Sequence, residues 1–316
     1  MRLFKSTLKL NTILIIINEL DNCSYFWGFF QNLRSTLQKK LNQKVSTIAS
    51  TYVRFAFALP FVTILFFLYF QDLNVIPEIL SQKKFIFNVL LGSIFQIIFT
   101  FILLYLFRFA NFVVGTSLSK TEVIQVAIFE YLIIGDKLNK FGITGIIVST
   151  IGVIILSIKD LSLFLKNLFS KTTLIGLSAG LFLGLSVVYF RAAALTLENF
   201  SNNFEKAIAT LFFGLVIQTT LVTIYLIIFE KSQFKKLYEN KYECLTAGLA
   251  GFLATLSWFY AFTLIQSSFV RAIGQIELLF SYVSSKYMFK EKVKITEILG
   301  IIIFVVGVLI LLLNKS

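Results

Sequence analysis

Histidine is absent from this chain of 316 residues, and cysteine, proline and charged residues are scarce. Without histidine, the sequence offers no imidazole ligand for a metal ion and no histidine general base, which excludes most designs of membrane metalloenzyme. The two cysteines, Cys23 and Cys244, lie far apart and lack the spacing of a metal-binding pair. We therefore predict no metal site, no cofactor and no catalytic residues.

The scarcity of charge indicates the class of protein. Charged residues make up only 14% of the chain, 57% of the residues are hydrophobic, and the mean hydropathy is +0.85. A soluble domain carries about 25% charged residues, so this composition is typical of a protein that crosses the membrane several times. With only 2 prolines, the apolar segments are expected to form uninterrupted helices rather than the short alternating strands of a barrel.

The net charge of +13 would suggest a nucleic acid ligand if the protein were soluble. Here the lysines and arginines lie mainly in short loops between apolar segments. In that position they contact anionic lipid headgroups and set the topology of the chain. The sequence therefore predicts a lipid bilayer as a partner, and no nucleic acid.

Nine apolar segments are each long enough to cross a hydrocarbon layer of about 30 Å as a helix. A tenth segment, at residues 12–33, contains polar residues such as Glu19 and Asp21, but it is needed to give each half of the chain five segments. We predict an all-α polytopic membrane protein with ten transmembrane helices. The nine clear segments cover residues 48–70, 85–107, 110–134, 141–159, 172–194, 203–229, 243–265, 267–288 and 294–313.

Part of the first half recurs in the second half at a constant distance of 155 residues. Glu122 corresponds to Glu277, because 277 − 122 = 155. Two copies of a five-helix unit must enter the membrane in opposite directions, so residues 1–160 and 171–314 are predicted to be inverted repeats. The same distance relates Asp136 to Glu291, Gly145 to Gly300 and Gly152 to Gly307.

Two stretches carry an acidic turn before a glycine-spaced last helix: YLIIGDKLNKFGITGIIVSTIGVIIL and YMFKEKVKITEILGIIIFVVGVLIL. Together with Arg54 in STYVRFAFALP, they resemble the EamA-type permeases of the drug/metabolite transporter superfamily, and the resemblance covers nearly the whole chain. It implies secondary transport, often export, of small metabolites across the bacterial inner membrane. The resemblance implies cytoplasmic termini, whereas the excess of lysine and arginine in the loops on the opposite side favours termini outside.

The recurring glutamates are the strongest candidates for a polar site between the two halves, because a carboxylate inside a membrane is costly. A buried carboxyl group either carries a proton, which would couple transport to protons, or stays ionised beside a cation or a cationic substrate. Alternatively, it belongs to an internal ion pair that only fixes helix packing, with Lys120 or Arg271 as the partner. The candidate substrate-binding or proton-binding residues are Glu122, Glu277, Lys120, Arg271, Gln125, Gln275, Tyr105 and Tyr260.

Other polar and small residues receive structural interpretations. Arg34, Arg54 and Arg191 lie at predicted helix ends, where long cationic side chains by default extend to the membrane surface. Arg54 lies several residues inside its apolar segment, so the alternative for it is a pairing with an acid in another helix. Asp136 and Glu291 are expected to cap the helix that follows each of them. The repeated glycines share a helix face and predict close packing of helices, within the chain or between two molecules: Gly145, Gly152, Gly300 and Gly307.

The leading functional hypothesis is a secondary transporter that exports a small polar metabolite, driven by protons or by the substrate itself. Lys120, Glu122, Arg271 and Glu277 together would suit a zwitterion such as an amino acid. Equally, the planar guanidinium group of Arg271 would suit the carboxylate or phosphate of an anionic substrate. The sequence contains no phosphate-binding glycine loop, which argues against ATP as the source of energy. The alternatives are a membrane-embedded enzyme that acts on a lipid-linked substrate, and a scaffold without a water-accessible cavity.

Overall fold

The computed structural model describes residues 30–31, 33–72, 74–106, 120–157, 166, 169–275 and 295–313, and every regular element in these ranges is a helix. A π-helical turn, Glu130–Ile134, continues α6. The helices in chain order are α1 (33–41), α2 (Thr47–Ala56), α3 (Leu59–Tyr69), α4 (Val75–Ser81), α5 (Lys83–Leu106), α6 (Glu122–Phe129), α7 (Lys140–Ser157), α8 (Lys171–Thr196), α9 (Asn203–Phe229), α10 (Gln233–Glu239), α11 (Lys241–Leu264), α12 (Ser267–Gly274) and α13 (Ile295–Leu313).

Within the described residues, five spans are long and apolar enough to cross a bilayer: α2 together with α3, α5, α8, α9 and α11. The apolar parts of α7 and α13 are shorter. An all-helical membrane protein is thus confirmed. The predicted spans at 12–33, 110–134 and 267–288 include segments outside the described residues, so the number of ten helices stays a prediction.

The second predicted span is divided into α2 and α3 by a short break. Pro60 lies in the first turn of α3, where its missing N–H group removes no helical hydrogen bond. Gly248 of α11 faces the backbone of Phe57 at this break, and a side chain at Gly248 would collide with that backbone. The close approach brings α11 against the last turn of α2, which carries Arg54.

Aromatic side chains form much of the main buried cluster. The ring of Phe66 on α3 stacks on Phe212 of α9, with 4.3 Å between the ring centroids. Phe190 of α8 packs between Gly92 and Gly214, whose lack of side chains leaves room for its ring. Because lipid tails are as apolar as these side chains, the helices are held by tight packing rather than by the removal of apolar surface from water.

The repeated glycines bring α7 and α13 into close contact. A Cβ atom at Gly145 would lie 2.9 Å from the carbonyl oxygen of Gly307, and one at Gly300 would lie 3.0 Å from that of Gly152. Residue numbers rise along α7 as they fall along α13, so these two helices run antiparallel. That is the orientation that inverted repeats require of equivalent helices. The interpretation of the glycines as a contact between two molecules is wrong, because their partners lie in the same chain.

Candidate functional site

The first elements of the site are two short helices from opposite halves of the chain, α6 and α12. Glu122 occupies the first turn of α6, and Arg271 occupies the last turn of α12. Each charge therefore lies at the helix end where the helix dipole stabilises it. Apolar residues such as Val123 and Val270 are fully buried and hold the two helices in the bundle.

Glu122 and Arg271 form a buried ion pair across the two halves. Glu122 is only 2% exposed and Arg271 is 9% exposed, and Nη2 of Arg271 donates to Oε1 of Glu122. The indole of Trp258 lies against the Arg271 guanidinium group, with 4.5 Å between the guanidinium carbon and the centroid of the indole ring. Gly274 makes room for this indole, since a Cβ atom at Gly274 would collide with it. This contact is the pairing of Glu122 with Arg271 that the sequence analysis named as the alternative to a binding site.

A second contact joins equivalent residues of the two halves. Lys120 corresponds to Gln275, because 275 − 120 = 155. The Gln275 side-chain amide donates to the Lys120 carbonyl oxygen over 3.1 Å. In a two-fold arrangement, only residues close to the axis contact their own equivalents. The α6–α12 region therefore lies at the pseudo-two-fold axis of the molecule.

Several polar atoms at this contact are buried without a hydrogen-bond partner in the described part of the chain. They are Oε1 of Gln125, Oε1 of Gln275 and Nε of Arg271. Buried polar atoms are nearly always paired in folded proteins, so unpaired atoms that occur together call for an explanation such as a ligand. The site thus has both donors and acceptors available.

Arg54 adds another buried cation close to the ion pair. It is 8% exposed, and its Nη1 donates to Oγ1 of Thr100 over 2.9 Å. Its guanidinium group faces Phe99, which lies in the same buried cluster as Trp258, the residue against Arg271. The prediction that Arg34 and Arg54 extend to the membrane surface is wrong: both are buried, and both pack against α11 at Gly251.

A second charged cluster, which the sequence analysis did not identify, is built around Glu130. Its Oε1 accepts from the Ser267 backbone N–H over 2.5 Å, and its Oε2 accepts from the Ser268 N–H over 3.0 Å and the Ser268 hydroxyl over 2.7 Å. Arg191 lies 3.3 Å from the same carboxylate and also pairs with Asp136. A glutamate inside the apolar run VAIFEYLII was the available signal, but the residue 155 positions later is Ser285, so the repeat did not select it.

This cluster corrects two interpretations. Arg191 is buried rather than extended to the membrane surface, because Glu130 and Asp136 bind it in the interior. Asp136 does not cap the following helix, since Asn139 accepts the N–H of Gly142 over 2.9 Å instead. The short Asp136 side chain serves as a partner for Arg191.

The two tyrosines among the candidates make ring contacts with phenylalanines of the described chain. Tyr105 is 37% exposed and stacks on Phe101. Tyr260 packs edge-to-face on Phe204, with ring centroids 5.6 Å apart. The structure therefore brings together Glu122, Arg271, Lys120 and Gln275, with Gln125 one helical turn from Glu122. Glu277 lies outside the described residues. Within those residues, no group of acidic, cysteine or histidine side chains could hold a metal ion.

Comparisons with known proteins agree with this architecture. The family model described as "EamA-like transporter family" matches residues 24–158 and again residues 164–313. A solved structure titled "Crystal structure of protein" is 12% identical in sequence and matches with a TM-score of 0.64. The match covers 95% of this chain and 99% of the chain in that structure. At that identity the likeness concerns the fold alone. No curated protein matches the sequence.

The family matches cover most of the chain in two copies, and neither comparison supports the alternative of a membrane-embedded enzyme. Membership of a transporter family implies a small-molecule substrate and a bilayer environment, and such proteins are generally not enzymes. Together with the apolar helices, the two matched segments show an integral membrane protein that belongs to the EamA-like transporter family.

Proposed function

We propose that this protein is a secondary-active transporter that exports a small polar metabolite across the bacterial inner membrane. Its ten spans would form two inverted five-helix repeats, residues 1–160 and 171–314, with the ligand site between them where α6 meets α12. The observation that supports this proposal is the buried ion pair of Glu122 with Arg271, which joins the two halves beside the pseudo-two-fold axis.

The ion pair is suited to forming and breaking during transport because it is costly to bury. Removing both charges from water carries a penalty of several kcal/mol per ion, and their attraction offsets it only while the two groups stay together. A ligand that binds Arg271 can replace Glu122 as its partner and so lower the cost of separating the halves. Alternating access then follows, because a ligand shifts a conformational equilibrium by its different affinity for the two states.

Protons are the proposed coupling ion. When a substrate replaces Glu122 at Arg271, the carboxylate loses its cation in surroundings of low polarity and takes up a proton. Release of the substrate on the other side allows the ion pair to form again, and the proton leaves on that same side. Substrate and proton therefore cross together, and export is driven by the outward gradient of the substrate. Glu277, at the equivalent position of the second repeat, is proposed to act in the same way, and the remaining proposed binding residues are Lys120, Gln125, Gln275, Tyr105 and Tyr260.

The proposal is tested with the purified protein in proteoliposomes that contain radiolabelled succinate, inorganic phosphate, alanine or putrescine. We expect the wild type to exchange at least one of these probes and to respond to an imposed pH gradient. Glu122→Gln keeps the size of the side chain but removes the charge, and should abolish the response to the gradient. Glu239→Gln, an exposed acid on α10, is the matched control and should behave as the wild type. An unchanged pH response in Glu122→Gln, or no exchange of any probe by the wild type, would contradict the proposal.

A further inference from the structure

We infer that the substrate is a small organic anion, and that its carboxylate or phosphate group binds Arg54 together with Arg271. This inference rests on the proposed function, since it names the chemical class of the ligand for the same site. The observation that supports it is the burial of a further cation, Arg54, in the same part of the core as the Glu122–Arg271 ion pair.

Arg54 is a buried cation whose direct contacts in the described part of the chain are with uncharged groups. Its hydrogen bond in the described part of the chain goes to the hydroxyl of Thr100, and its guanidinium carbon lies 5.8 Å from the ring centroid of Phe55 and 5.9 Å from that of Phe99. No carboxylate of the described residues forms an ion pair with it. A hydroxyl group and two aromatic faces do not replace the hydration of a full charge.

The neighbouring charges increase the positive potential at Arg54. Phe99, which faces Arg54, and Trp258, which faces Arg271, belong to the same buried cluster, so the two guanidinium groups lie in the same part of the core. Among the described residues, the charged side chains that act on Arg54 are the cations Arg34 and Arg271. Arg271 is bound by one carboxylate oxygen, and its Nε–H is buried without an acceptor in the described residues. The planar groups of Arg54 and Arg271 therefore offer several N–H donors to a common partner.

Carboxylate and phosphate groups have the geometry that matches these donors. A guanidinium group binds two oxygens of either group through parallel hydrogen bonds, and such charge-assisted bonds are the strong ones in proteins. An organic cation would instead meet the repulsion of Arg54 as well as that of Arg271. A zwitterion would bring an ammonium group into the same positive region. The charge arrangement favours a ligand with a net negative charge.

Trp258 provides a direct optical signal for binding, because its indole lies against the Arg271 guanidinium group. The chain contains 2 tryptophans, so Trp27→Phe leaves Trp258 as the sole source of indole fluorescence. In this full-length background, we would titrate the detergent-solubilised protein with succinate, inorganic phosphate, alanine and putrescine. Sodium chloride at equal ionic strength corrects for screening.

We expect a saturable change in the fluorescence with succinate or phosphate, and none with putrescine. The relative response to succinate and phosphate then distinguishes a carboxylate from a phosphate ligand. The inference would be overturned if putrescine gave a saturable change in fluorescence. It would also be overturned if alanine saturated the change at the same concentration as the anions. This comparison uses wild-type Arg54, so it does not depend on the folding of a site variant.

Arg54→Gln should weaken anion binding by about tenfold or more, because it removes the charge that makes these hydrogen bonds strong. Arg54→Lys should restore most of the affinity, and Lys235→Gln, an exposed cation on α10, should leave it unchanged. Equal affinity in Arg54→Gln and the wild type would also overturn the inference. If anions bind but no probe is exchanged in proteoliposomes, the proposed transport is wrong and the anionic class of ligand stands. If putrescine alone is exchanged, the proposed transport stands and the anionic class of ligand is wrong.

Discussion

At the scale of single residues, Glu122 and Glu130 show how two buried carboxylates in the same helical segment serve different purposes. Glu130 accepts from two backbone N–H groups, a serine hydroxyl and Arg191, so both of its oxygens are satisfied. Glu122 contacts Arg271 through one oxygen, beside polar atoms that have no partner among the described residues. Glu130 therefore holds α12 in place, whereas Glu122 has fewer bonds to break and is the residue for which we propose an exchange of partners.

Glu130→Gln should strongly reduce stability. The change removes the charge that Arg191 needs and the acceptor geometry that caps α12, and breaking a buried ion pair typically costs about 3 to 5 kcal/mol. Asp136→Asn should cost less, since Asp136 is more exposed and Glu130 still pairs with Arg191. Unfolding of the purified protein in mixed micelles measures both, with Glu239→Gln as the control. Equal stability of Glu130→Gln and the wild type would show that the cluster is not structural.

The sequence identified Glu122 because the repeat and the cost of a buried charge both select it, and it identified Arg271 as a cation available to pair with a buried carboxylate. It did not identify Glu130 or the buried position of Arg191. Their pairing joins residues 61 positions apart, and no local pattern predicts which helices meet at that distance. The buried polar atoms without a hydrogen-bond partner among the described residues, such as Nε of Arg271, are likewise revealed only by the three-dimensional structure.

At the scale of elements, α7 and α13 form the clearest relation between the two halves. Gly145 contacts Gly307 while Gly152 contacts Gly300, so each contact has its counterpart with the two repeats exchanged. Glycine spacing predicted close packing of these helices. It could not name the partner, because any helix face with small residues accepts another backbone at the same distance.

Disulfide cross-linking tests the antiparallel arrangement. In a background with Cys23→Ser and Cys244→Ser, the pair Ile146→Cys and Leu311→Cys should cross-link on mild oxidation, because both side chains lie in one buried cluster where α7 meets α13. Both changes make the side chain smaller, so they avoid the clash that any side chain causes at the packed glycines. The pair Ile146→Cys and Ile301→Cys, which are equivalent positions of the two repeats, would meet only if the helices ran parallel. Ile301 lies ten residues from Leu311, about 15 Å along the helix axis. Cross-linking of the second pair alone would contradict the fold.

At the scale of the whole molecule, the proposed site lies where the two halves meet. In an arrangement of inverted repeats, this is the place where rocking of one half would change access to both sides. The sequence predicted the all-helical membrane class and the duplication, because both follow from composition and from a constant spacing. The central account now depends on whether residues near Glu122 and Arg271 become accessible to water from each side in turn.

Labelling of Gln275→Cys with a membrane-impermeant maleimide tests this claim most directly. Gln275 is buried at the contact with Lys120, and the experiment uses proteoliposomes of the variant that also carries Cys23→Ser and Cys244→Ser. Ala49→Cys, in the closed core, is the unreactive control, and Tyr238→Cys, on exposed α10, is the reactive one. The account predicts that Gln275→Cys reacts with reagent supplied from either side of the membrane. Reaction from neither side, or from one side only, would contradict it.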